Sequence, residues 1–189
     1  MDKSKSASTK KIVLTALLAA LTVAGSAMRI TIPVDIAGTT SFHLGNIMCA
    51  LSGILLGPWY GAAAAGIGSA IYDMLNPLYI SEAWITFLTK GCYGLASGLV
   101  ICCGKKVWGY KKATLATAAG ALVYAALYLS KTFFYSGMLM KGLTAQAAAL
   151  TVVTKLPATT FNAVIAMIFT PLLAVSIRKA LDQNHISLN

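Results

Sequence analysis

Six stretches of this chain are apolar for long enough to cross, or nearly cross, a lipid bilayer, and short breaker motifs separate them. That pattern constrains the fold more than any other feature. A helix needs roughly 20 predominantly apolar residues to span the hydrocarbon core. The stretches are Lys11–Met28, His43–Leu56 (stopped at Gly57-Pro58), Trp59–Leu75 (stopped at Asn76-Pro77), Glu82–Cys103 (stopped at Gly104-Lys105-Lys106), Ala113–Ser136 (followed by Gly137 and Lys141-Gly142) and Pro157–Ile177. The segment from Thr144 is too long for one straight crossing. A short interfacial helix is therefore expected at Thr144–Thr154, with Pro157 opening the sixth span and Pro171 tolerated inside it. Composition agrees: 58% of the 189 residues are hydrophobic and only 11% are charged, about half the charged fraction of a soluble domain.

The cations give the orientation. With the N-terminus inside, the inner side carries Lys3, Lys5, Lys10, Lys11, Lys105, Lys106, Lys111, Lys112, Arg178 and Lys179, and the outer connections hold only Arg29 and Lys141. Ten against two follows the positive-inside rule and requires an even number of spans. The expected fold is an all-α integral membrane protein of six helices with both termini in the cytoplasm. A tail at 1–10, a single membrane domain at 11–181 and a second tail at 182–189 make up the chain. The lysines before Ile12 and the small residues Gly25-Ser26-Ala27 also fit a signal peptide. The equally apolar chain downstream favours an uncleaved first helix instead. The net charge of +10 sits in small groups beside apolar runs, with no aromatic-interleaved basic face, so nucleic acid is not an expected partner.

Charges inside a span are costly, so each is a functional candidate. Lys90 lies two turns into the fourth helix, Lys131 in the outer part of the fifth, and Lys155 just before the sixth. Asp73 is near the outer end of the third and Glu82 at the start of the fourth; Asn46 and Asn162 lie at comparable depth. Residues from distant parts of the chain at one depth suit a shared polar cavity. Snorkelling also accounts for Lys131, Lys155 and Glu82. A buried pair holding two helices together accounts for Lys90 and Asp73, and interhelical hydrogen bonding for Asn162. Aromatic residues crowd the same side; an interfacial belt explains most of them, with Trp84 and Tyr128 as candidates to stack on a planar ligand. Three lysines against two carboxylates favour a neutral or anionic solute.

Two rows of small residues recur every four positions: Ala16, Ala20 and Ala24 on the first helix, and Gly61, Ala65 and Ser69 on the third. Each row lets another backbone approach closely, either within this chain or in a membrane partner. The four cysteines have neither CxxC nor zinc spacing and read as small apolar packing residues. Gly66-Ile67-Gly68 is no dinucleotide fingerprint, because Ile71 takes the place of the third glycine, and no GxxxxGK[ST] occurs. The histidines, His43 and His185, join no catalytic or metal-binding arrangement. The chain is not expected to be an enzyme or to carry a metal or cofactor.

Several blocks together resemble the substrate-binding S subunits of energy-coupling factor (ECF) vitamin transporters. They are the lysine-led first helix with its Ala16, Ala20 and Ala24 row, His43-Leu44-Gly45-Asn46, Leu56-Gly57-Pro58-Trp59-Tyr60-Gly61, and Gly66-Ile67-Gly68-Ser69-Ala70-Ile71-Tyr72-Asp73. Phe87-Leu88-Thr89-Lys90-Gly91 and Lys155-Leu156-Pro157 with Asn162-Ala163 complete the likeness, which covers nearly the whole chain. The resemblance implies a high-affinity vitamin-binding protein of a bacterial plasma membrane that does not transport alone. A membrane T subunit would dock on Ala16, Ala20 and Ala24, and two cytoplasmic ATPases would supply the missing ATP site. The pocket would lie toward the outer side, lined by helices four to six and closed by the first and third outer connections, the long loop Arg29–Phe42 and the stretch around Gly137–Leu156. The S subunit would then topple to turn that pocket inward. The blocks lie nearest the riboflavin and hydroxymethylpyrimidine/pyridoxine-type branch. The rival reading is a self-contained secondary transporter or channel, against which stands the lack of an inverted repeat.

Overall fold

The computed structural model describes residues 3–34, 38–103 and 109–184. The loop residue Asp35, the Gly104-Lys105-Lys106 stop and His185 lie outside them. In chain order the elements are α1 (Lys3–Ala27), β1 (Arg29–Val34), β2 (Gly38–His43), α2 (Gly45–Leu56), α3 (Pro58–Leu75), a 3₁₀ turn (Ile80–Glu82), α4 (Ala83–Cys102), α5 (Tyr110–Lys131), a π-helical segment (Thr132–Met140) and α6 (Ala145–Gln183). Thr9–Ala27, Ile80–Cys102, Tyr110–Met140 and Ala145–Gln183 are each long and apolar enough to cross a membrane; α2, with 12 residues, is shorter. Large apolar side chains such as Leu17, Leu115, Leu122, Phe161 and Leu172 face outward. An apolar exterior of this extent suits lipid rather than water.

Three sequence expectations change. The first outer connection is not an irregular loop but an antiparallel hairpin, paired from Arg29 opposite His43 to Val34 opposite Gly38. Ile30, Ile32 and Val34 alternate with other residues and Thr39 and Thr40 are β-formers, but Pro33 hides the pattern. Pro33 sits in a two-stranded sheet, where every strand is an edge and one missing donor is tolerated. Second, the separate interfacial helix at Thr144–Thr154 is not present: α6 runs unbroken for 39 residues with Pro157 and Pro171 inside it. At 1.5 Å per residue it is roughly 58 Å long, so it projects well past a hydrocarbon core. Pro157 removes one backbone donor, a loss membrane helices absorb. Thr144 caps α6, its hydroxyl accepting from Ala147 N at 3.4 Å. Third, α1 starts at Lys3 rather than Lys11.

Glycines set how closely the inner helices pack. A Cβ on Gly61 of α3 would collide with the Gly53 backbone of α2, and one on Gly94 of α4 would meet the Gly61 carbonyl. These contacts, together with buried Ala65 and Ser69, show that the small-residue row of α3 is spent on internal packing. α1 leans on α3 at Gly68, where a Cβ would strike the Ala19 carbonyl. Ala16, Ala20 and Ala24 lie on the other side of α1 and are exposed. Two buried clusters fill the interior. Leu18, Leu51, Ile54, Ile101, Ala116 and Ala174 belong to one; Cys49, Ala50, Ala65, Tyr93, Ala121 and Tyr124 form the other, against which Tyr128 packs. Cys49 is thus a packing residue, whereas Cys102 and Cys103 are exposed.

Candidate solute-binding site

A cavity of about 350 Å³ opens next to the second cluster. All six helices, the hairpin and the two remaining connections on that side contribute to its wall. That is broader than helices four to six, because short α2 and the end of α3 also face it, through Asn46 and through Ser69, Tyr72 and Asp73.

Lys90 is the side chain least suited to its place. It is 5% exposed, and its ammonium donates to Asn46 Oδ1 and sits 4.0 Å from the centre of the Tyr124 ring. Tyr124 stacks on Tyr93 at 5.6 Å and on Tyr128 at 5.6 Å, so α4 and α5 share a column of three rings. A Lys90–Asp73 ion pair, the alternative reading of these two charges, does not form: among the described residues no carboxylate lies within 4.0 Å of Lys90. The Thr86 hydroxyl bonds to Asp73 instead.

Nearer the mouth, Lys131 Nζ pairs with Glu82 Oε2 at 2.5 Å, and Ser136 Oγ donates to Glu82 Oε1 at 2.7 Å. The wider turn of the π-helical segment carries Thr132 and Ser136 to the wall. Such segments are uncommon and often occur at functional sites. Lys141 and Lys155 also line this end.

The hairpin roofs the cavity and is fastened on two sides. On α6, Asn162 Nδ2 donates to the Ser41 carbonyl at 2.9 Å, and its Oδ1 accepts from His43 N at 3.1 Å. Phe161 meets Phe42 edge to face at 4.9 Å. On the other side the Arg29 guanidinium lies 4.6 Å from the Tyr72 ring centre and 4.8 Å from that of Tyr79. His43 Nδ1 accepts from Gly45 N at 3.2 Å. Burial, followed by the Lys90 and Arg29 charges, holds its pKa well below the ordinary range. The ring is therefore neutral at pH 7, with its proton on Nε2.

Of the residues that stand out in the sequence, Lys90, Lys131, Lys155, Asn162, Asp73, Asn46 and Tyr128 all line this one cavity. Trp84 does not. It is 57% exposed, and its indole N–H points to the Tyr135 hydroxyl at 3.4 Å. The sequence places an aromatic residue at the right depth, but a ring one helical step off the inner face looks to lipid. Asn162 lines the wall while both ends of its amide hold the roof. Arg29, Tyr124 and Thr86 also line the cavity, with little in the sequence to mark them. Arg29 passes for a flanking cation, and Tyr124 sits in an alanine-rich run with no polar neighbour to draw attention to it.

A profile of the family described as "ECF-type riboflavin transporter, S component" matches residues 6–179. The chain belongs to this family. A protein of Pyrococcus woesei described as "Uncharacterized protein in gap 3'region" is 33% identical over 118 residues, covering 62% of this chain and 74% of that protein. An S component is a multi-pass plasma-membrane transport protein that captures substrate. It is not itself an enzyme.

Proposed function

We propose that this chain is the solute-capturing subunit of an ATP-driven importer for a water-soluble vitamin or vitamin precursor, and needs no cofactor of its own. It crosses the membrane six times with both termini in the cytoplasm, in a bacterial cell. The cavity carries this reading: a polar, charge-lined chamber roofed by a hairpin, inside a body whose outer surface is apolar. The solute binds there from outside, in contact with Lys90, Asn46, Asp73 and Tyr128 and near Lys131, Lys155 and Asn162. A flat heterocycle with polar edges, of the flavin or pyridine and pyrimidine kind, suits the tyrosine column. The family description, which names riboflavin, supports that class.

Delivery requires partners. A membrane T subunit docks on the outward alanine face of α1, and two ATPases hydrolyse ATP on the cytoplasmic side. The loaded subunit topples against the T subunit to release its solute inward. Ala16, Ala20 and Ala24 offer backbone-close contact without interlocking side chains, so docking stays reversible.

Co-expression with a T subunit and its ATPase pair tests this. Affinity capture of the wild-type chain should retrieve all three partners in fixed proportion. Ala20→Leu should cut that retrieval about tenfold or more, the scale of disrupting a close-packed interface centre. Because residue 20 faces away from the cavity, solute binding should be unaffected. Capture of the wild-type chain alone would contradict the assignment.

A further inference from the structure

The chemistry around Lys90 says more about the solute than that it is polar. An ammonium taken out of water is costly unless it is paired and fully hydrogen-bonded. Lys90 has three N–H donors and, among the described residues, one acceptor, the neutral amide oxygen of Asn46, plus the face of Tyr124. Neither carboxylate of the wall lies within ion-pairing distance of Lys90. Both Glu82 oxygens are taken, by Lys131 and Ser136. Asp73 accepts from Thr86 and stays more than 4.0 Å from Lys90.

A second donor stands nearby. His43 accepts on Nδ1, which leaves Nε2–H without a hydrogen-bond partner among the described residues. Counting formal charges, the wall holds Arg29, Lys90, Lys131, Lys141 and Lys155 against Asp73 and Glu82, three positive charges in excess. The wall is thus positively charged as a whole, and its deep end holds two donors, Lys90 and His43. A cationic solute would meet repulsion there, and a neutral one would leave the buried ammonium with no anionic oxygen within hydrogen-bonding reach.

We propose that the solute carries an ionised acidic oxygen, such as a carboxylate or a heteroaryl oxyanion, and that this oxygen seats on the Lys90 ammonium beside His43. The proposal rests on reading the cavity as the solute site and adds the solute's charge, which sets uncharged riboflavin aside and keeps the acidic members of the same flat heterocycle class. The anion completes an ion pair in a desolvated setting, where charge-assisted hydrogen bonds are roughly twice as strong as neutral ones.

Two matched pairs of flat heterocyclic probes test the charge: nicotinate against nicotinamide, and pterin-6-carboxylate against 6-hydroxymethylpterin. Each pair keeps ring and size nearly constant and changes charge by one. Calorimetric titration of the full chain in nanodiscs at pH 7 should show the acid binding about tenfold or more tightly than its neutral partner in at least one pair. Lys90→Gln should abolish that preference, and Lys90→Arg should keep it. A neutral member binding as tightly as its acid, or a preference that survives Lys90→Gln, overturns the charge assignment and leaves the solute site standing. If none of the four binds the folded, monodisperse protein at millimolar concentration while uncharged riboflavin does, the charge assignment falls and the solute site stands; if riboflavin fails to bind as well, the reading of the cavity as a solute site also falls.

Discussion

At the scale of single residues, the roof depends on a neutral histidine. His43 lies outside the membrane helices, and its pKa is lowered by burial first, with Lys90 and Arg29 adding. The unfolded chain therefore binds a proton near the ordinary value of 6.5 while the folded chain resists it. The resulting contribution to stability is complete above pH 6.5 and is lost as pH falls below that value. Thermal melts of the purified protein should show this. The wild type should fall below His43→Gln by about 3 °C more at pH 5 than at pH 7.5, the effect of roughly 1 kcal/mol in a chain of this length. Parallel pH profiles would show that His43 is not held neutral. Lys90, Lys131 and Asp73 can be picked out from sequence because a charge among apolar residues is conspicuous. His43, Arg29 and Tyr124 cannot be, because their roles come from what folds against them. Trp84 shows the reverse error: depth can be read along the sequence, but the direction of a ring near the edge of a helix face cannot.

At the scale of elements, hairpin and helix hold each other. Asn162 gives β2 two hydrogen bonds, one to each of two nearby residues, and Phe161 covers Phe42 from the next position on α6. The strand pair would be marginal alone, since an isolated two-stranded hairpin is barely stable in water. Asn162→Ala removes both bonds. Hydrogen exchange at the His43 amide should accelerate by about tenfold or more, while amides in the middle of α4 keep their protection. Unchanged exchange at His43 would mean that Arg29 and its two tyrosines hold the roof without help. The long helices are legible because their apolar runs are unmistakable. The hairpin is obscured by Pro33, and the continuity of α6 by Pro157. Proline is a strong breaker signal in water but a weak one within a packed membrane helix or on a sheet edge. The two small-residue rows look alike in sequence, and only the packing separates them. The Gly61 row is consumed by α2 and α4, and the Ala20 row remains outside.

At the scale of the whole molecule, the fold divides its labour between two surfaces. The interior of one end is a charged chamber with a fastened roof, and the outer face of α1 carries the Ala16, Ala20 and Ala24 row beside exposed Val13, Leu17 and Leu21. The large side chains of Tyr93 and Leu51 are fully buried in the core, and close glycine contacts seal α2, α3 and α4 against each other. A chain built this way holds a solute at one end, and under the proposed function translocation belongs to an assembly. Proteoliposomes test that directly. Uptake of the solute the chain binds is counted with this chain alone and with the T subunit and ATPases added, with ATP supplied to the ATPases. Accumulation should require all the subunits and ATP hydrolysis, and the chain alone should stay at the level of empty vesicles. Uptake by the chain alone at a comparable rate would contradict the account.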